Sequence, residues 1–138
     1  MKKTEVKTEL TTEVKKEAKT ELIKELKLID AAGKTLGRVA SNAALFLMGK
    51  NNAAYQRHTY SGYPVKIINA SKIKITPKKL SEIQHLRYSG RPGGLKIMKA
   101  SYTVKTKGYP ELMKLAIFQM LPDNKLRKTM MTGLIIEN

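Results

Sequence analysis

Few residues of this 138-residue chain have the types and spacing to do chemistry, and none of them points firmly to catalysis. Gly33-Lys34-Thr35 falls between a predicted strand and a predicted helix, where a phosphate-binding P-loop ends. That motif needs another Gly five residues before Gly33. Leu28 stands there instead, inside the strand, so a nest of backbone amides is not encoded. The segment reads as a βα turn with a basic rim, on which Lys34 and Arg38 are suited to contact phosphate. His58 and His85 are the only histidines, and neither has a Cys or a helix-spaced ligand partner. With carboxylates also scarce, a zinc site or a paired-carboxylate active site has poor raw material. The histidines read as packing or hydrogen-bonding residues, or as contacts to nucleic acid. There is no Cys, which removes disulfides, thiolate metal sites and thiol catalysis. No serine has a nucleophile setting. Neither a catalytic residue nor a metal, cofactor or small-molecule substrate is expected.

Binding chemistry is better represented. The run Arg87-Tyr88-Ser89-Gly90-Arg91-Pro92-Gly93-Gly94-Leu95-Lys96 is the strongest candidate. Its glycines allow close backbone approach to a ligand. Arg87, Arg91 and Lys96 supply partners for phosphate, and Arg binds it bidentately. Tyr88 is suited to stack on a base, the usual way unpaired RNA is held. Tyr55-Gln56-Arg57-His58-Thr59-Tyr60 forms a second basic-aromatic cluster, readable also as tyrosines packing over the rim of a core. Lys125, Arg127 and Lys128 form a third, which in isolation is a solvated helix face.

The elements that must position these residues alternate in type. Lys27–Asp30 reads as a short strand and 31–34 as a turn around Gly33. Residues 36–48 have helical spacing, with Thr35 as N-cap and Gly49 as the stop. Residues 63–70 read as a strand, and 72–76 as a half-buried strand with Lys72 and Lys74 facing out, ended by Pro77. Residues 83–88 read as extended and 89–95 as irregular. Residues 97–107 stay ambiguous, because Thr103, Val104 and Thr106 weaken a helix there. Pro110 suits a first helical position, and the helix it opens closes at Pro122. A short helix over 126–131 and a strand over 134–136 follow. Strands alternating with helices predict an α/β layer structure.

Residues 1–27 are a separate object. Glu recurs at 5, 9, 13, 17, 21 and 25, each followed by an apolar residue. On a helix a four-residue repeat drifts about 40° per step, so no straight apolar stripe results. The segment reads as a low-complexity tail, solvated and marginally helical or disordered, or as a helix that folds against RNA or a neighbouring protein. It carries eight Lys and six Glu, a net of only +2. Residues 28–138, the size of one domain, therefore carry +14 of the total +16. Charge of that density opposes compaction, and a polyanion relieves it. Charge alone leaves RNA, DNA and an anionic membrane surface open. No apolar run approaches the roughly 20 residues of a membrane span, and the start has no signal-peptide core, so cytoplasm is the expected compartment.

Asp30–Ala40, reading DAAGKTLGRVA, resembles the opening signature of the thirteenth-protein family of the large ribosomal subunit, bacterial type. The resemblance continues in order through Gly49-Lys50, Tyr55 to His58, Ile68-Asn69-Ala70, Tyr88-Ser89-Gly90, Pro92 to Lys96, and Met120-Leu121-Pro122 with Leu126. It spans essentially all of 28–138. It implies a three-layer α/β/α fold around a mainly parallel four-stranded sheet. It implies a non-enzymatic protein that binds large-subunit ribosomal RNA, beside neighbouring large-subunit proteins, from early in assembly and as a permanent part of the ribosome. The positions it carries over are Lys34, Arg38, Lys50, His58, the loop 88–96 and Leu126 with its basic neighbours. Gln119 and Arg127 stand where the family usually has Gly, and the chain stops at Asn138 before the family's usual tail.

Overall fold

A computed structural model describes residues 26–53 and 55–138. The Glu-periodic repeat therefore lies outside the described residues, apart from Leu26 and Lys27 at its end. Lys27 already belongs to strand β1, Lys27–Asp30. Helix α1 spans Leu36–Met48, strand β2 Val65–Ile68, and a 3₁₀ turn Ala70–Lys72. Helix α2 is Pro77–Glu82, strand β3 Gln84–Tyr88 and strand β4 Leu95–Lys99. Helix α3 is Ala100–Met120, helix α4 Leu126–Thr132 and strand β5 Leu134–Ile136.

The α/β class holds. The main sheet is parallel, with β2 between β1 and β5. Alternation decides its faces: Ile29, Val65 and Ile67 point to the core, with Ile67 paired to both Ile29 and Ile136. The sheet has three strands among the described residues, not the four that the family resemblance implied. Residues 72–76, expected as a strand, close the 3₁₀ turn and keep one parallel bridge, Lys74 to Thr35. Asn69 explains this: it sits at φ 59, so the chain turns out of the sheet directly after β2. The other sheet face is largely open among the described residues, with Leu28 62% and Ile135 48% exposed. The second covering layer of an α/β/α sandwich is thus not seen there.

Helix α1 fills the space between sheet and α3, packing on β1, β2 and α3. Its buried band is broad, at Val39, Ala40, Ala43, Ala44, Leu47 and Met48, and its alanines let both neighbours approach. Gly49 ends it at φ 77, in the left-handed region. The Gly49 N–H donates to Phe46 O and the Lys50 N–H to Leu45 O, which satisfies two terminal carbonyls. The returning chain then crosses this end closely: the Tyr63 N–H donates to Phe46 O at 3.0 Å, and a Cβ on Gly62 would collide with the Leu47 carbonyl.

The ambiguous stretch 97–107 resolves into the end of β4 and the first half of α3. Thr103 and Thr106 are tolerated because their hydroxyls donate to the carbonyls of Lys99 and Tyr102 one turn back. Gly108, at φ 82 and ψ −178, breaks the helix, and Pro110 opens its second half as the sequence predicts. That half carries Leu112, Met113 and Ile117, all fully buried. Helix α2 was not foreseen. Pro77, read as a strand terminator, takes its first turn instead.

Candidate nucleic-acid interface

The β1–α1 turn is built by Asp30. Its carboxylate accepts the Ala32 N–H at 3.0 Å and the Asn69 amide at 3.0 Å. These bonds, with Lys34 and Lys72 beside it, hold its pKa below the usual carboxylate value. The Gly33 N–H donates to Lys72 O and the Lys34 N–H to Ala31 O. Two amides that a P-loop would offer to phosphate are therefore spent on the turn, and a basic rim remains, with Lys34 and Arg38 exposed. The Lys74 N–H donates to Lys34 O at 3.0 Å and ties the next segment alongside. As a result Arg38, Lys74 and Lys79 line one groove of about 880 Å³. Lys74 and Lys79 were not among the sequence-derived candidates. No local motif marks them; only the fold brings them to Arg38.

The glycine-rich run is the tip of an antiparallel hairpin. Arg87, Tyr88 and Lys96 lie on its strands, and only 89–94 form the irregular turn. The turn is closed by the Gly94 N–H on Arg91 O at 2.9 Å. In the register Arg87 faces Lys96, so two like charges are directly opposed. Such a pair is destabilising unless an anion lies against it. Leu86 opposite Ile97 and Tyr88 opposite Leu95 form the other face, each 55–66% exposed. Tyr88 is thus available for stacking, and Ser89 and Arg91 are exposed at the tip.

Lys50, Arg57 and His58 are exposed in the loop after α1, and Tyr55 is half-buried. They line neither the groove beside Arg38 nor the cavity beside Arg87. Lys125 and Lys128 are exposed at the start of α4. Arg127 is different. Its Nε donates to Pro122 O at 2.9 Å and one terminal nitrogen to Leu121 O at 2.9 Å. The other meets Asp123 at 3.1 Å, and the guanidinium lies 4.6 Å from the Phe118 ring centroid. All three nitrogens are thus engaged within the chain, tying α4 to the end of α3. His85 is 5% exposed, so it packs inside rather than meeting solvent, and burial lowers its pKa.

A family model described as ribosomal protein L13 matches residues 24–136. The large ribosomal subunit protein uL13 of Moorella thermoacetica is 43% identical over 107 residues, covering 77% of this chain and 73% of that protein. Its counterpart in Pelotomaculum thermopropionicum is 45% identical over 103 residues, 74% of this chain and 70% of that one. The uL13 of Aquifex aeolicus is 42% identical over 106 residues, 77% and 73% of the two chains. With its scaffold, its exposed cations and these relatives taken together, the chain belongs to the ribosomal protein L13 family.

Proposed function

We propose that this chain is a structural constituent of the large ribosomal subunit that binds 23S-type ribosomal RNA through several basic loops and supports early subunit assembly. It is a ribosomal protein, not an enzyme. The observation that carries the RNA reading is the distribution of charge: +14 on residues 28–138, with exposed cations on the β1–α1 turn, the 50–58 loop, the hairpin and α4. One folded chain presenting cations at separate places neutralises phosphates from separate RNA segments. Release of condensed counterions then supplies much of the affinity, with a log–log salt slope near −0.9 per phosphate contacted in duplex and about −0.7 in single strands. Specificity rests on RNA shape and stacked bases rather than groove reading. In this reading Lys34, Arg38, Lys50, Tyr55, Arg57, His58, Arg87, Tyr88, Ser89, Arg91, Lys96, Lys125 and Lys128 face RNA, and Arg127 acts by holding α4 in place. Neighbouring large-subunit proteins are the other partners, and the site of action is the ribosome in the cytoplasm. No described helix is long and apolar enough to cross a membrane.

The test is sedimentation. The tagged full chain is expected to travel with large subunits at moderate salt, and a large-subunit RNA fragment is expected to outcompete random duplex DNA. Recovery only in free or small-subunit fractions, or equal affinity for both nucleic acids, would overturn the reading.

A further inference from the structure

We infer that the groove between the start of α1, α2 and the end of α3 holds an unpaired nucleotide of the bound RNA. The inference rests on the RNA-binding reading and adds a specific site to it.

Three independent features converge there. The first is charge: Arg38, Lys74 and Lys79 line the groove against one carboxylate, Glu82, which pairs with Lys78 at 3.9 Å, and none of the three cations has a carboxylate partner among the described residues. Residues 35–38 at the start of α1 line the same groove, and the leading amides of that helix have no acceptor within it. A phosphate is the anion that suits this combination. The second is shape and lining. At about 880 Å³ the groove is within the range of small-ligand sites, roughly 300–1,000 Å³. Leu36, Ile75 and Met120 give it an apolar wall against which a base can lie. The third is unmet hydrogen bonding. His85 lines the groove, and neither of its ring nitrogens has a partner. A buried polar group in that state is unfavourable, and a hydrogen-bonding ligand relieves it.

Gln119 gives the site its reader. It is exposed, and its amide both donates and accepts, as needed to recognise a base edge. Gln119 and His85 also line a second cavity of about 410 Å³, where Arg87 and the exposed ring of Tyr102 lie. They form a wall between the two spaces. A single strand crossing that wall sets one base against Leu36 and Met120 and the next on Tyr102, with a phosphate near the cations on each side. Alternating cations and stacking surfaces are the usual means of holding unpaired RNA.

The experiment uses the full chain, labelled for NMR, with three probes: a single-stranded RNA hexanucleotide, a fully paired RNA duplex, and inorganic phosphate. The hexanucleotide is expected to shift both the Gly37 backbone amide and the Gln119 side-chain amide. Phosphate is expected to shift Gly37 alone, and the duplex to leave Gln119 unmoved. Gln119→Met keeps length and charge, so it is expected to weaken hexanucleotide binding about five- to tenfold, the loss of one or two hydrogen bonds, with an unchanged salt slope. An unmoved Gln119 signal with the hexanucleotide, an equal shift with the duplex, or an unaltered affinity of the Met variant would each overturn the site while leaving RNA binding itself intact. If the wild-type chain binds no ribosomal RNA at all, the function reading fails and this site with it.

Discussion

Single residues contribute to the stability of this fold in different ways. Gly62 is structural through the absence of a side chain. A Cβ there would meet the Leu47 carbonyl, which is backbone at the end of a helix and cannot swing aside. Gly62→Ala is therefore expected to lower stability by about 2–3 kcal/mol, read from the urea midpoint at constant slope. His85 is structural in a pH-dependent way. Burial lowers its folded-state pKa below 6.5, so the unfolded chain takes up the proton first as pH falls. Its contribution is complete above about pH 6.5, declines as pH drops toward the lowered value, and levels off beneath it. Urea melts from pH 8 to 5 are expected to show that decline, and His85→Leu to remove it. A wild-type profile as flat as the variant's would refute the assignment. Asp30 works in the ordinary carboxylate direction: its bonds to Ala32 and Asn69 favour the ionised form and weaken only as acid protonates it.

At the scale of elements, α4 shows why a basic cluster read from sequence has to be divided. Lys125, Arg127 and Lys128 are equivalent in composition, yet Arg127 is stacked on Phe118 and bonded to Leu121 and Pro122. Arg127→Ala is expected to cost about 2 kcal/mol of stability, from charged hydrogen bonds and the ring contact. Lys125→Ala with Lys128→Ala is expected to leave the melt unchanged and to weaken RNA binding; the reverse pattern would exchange the roles. Much of the architecture was legible because its signals are local: Gly49 stopping α1, Pro110 opening the second half of α3, and alternation in β1 and β2. What was not legible depends partly on local backbone and hydroxyl choices that the residue pattern does not mark, and partly on partners distant in sequence. Lys-Ile-Lys-Ile-Thr at 72–76 has strand alternation, but Asn69 turns the chain away from the sheet edge. Pro77 opens α2 in its first turn instead of ending a strand, and the threonines of α3 are accommodated by hydroxyl bonds one turn back. The grouping of Arg38 with Lys74 and Lys79 needs the fold to exist first.

For the whole molecule, the quantity that decides the proposed RNA-binding reading is how many phosphates the body neutralises, and salt measures it. Replacing Arg87 and Arg91 together with Ala is expected to flatten the log–log salt dependence of RNA binding by up to about two contacts' worth, without changing the melt. An unchanged slope would reduce the hairpin tip to an exposed turn. Deletion of residues 1–25 is expected to preserve both the melt and the slope, because it leaves Lys27, whose N–H donates to Pro64 O, in β1. Deletion through 27 cuts into the strand and is the wrong boundary for this experiment. The hairpin has one more consequence, which concerns the protein before it meets RNA. Among the described residues it is a two-stranded ribbon with both edges free and four large apolar side chains turned outward. Edges and faces of this kind invite pairing with other chains, and Lys96, Lys99, Arg87 and Arg91 are the charges that keep copies apart. High salt screens that repulsion and leaves the ribbon's apolar face to drive self-association. On the proposed RNA-binding reading, the newly made protein is thus safest from aggregation when its concentration never outruns that of its RNA, and unmatched synthesis of the two becomes a solubility problem.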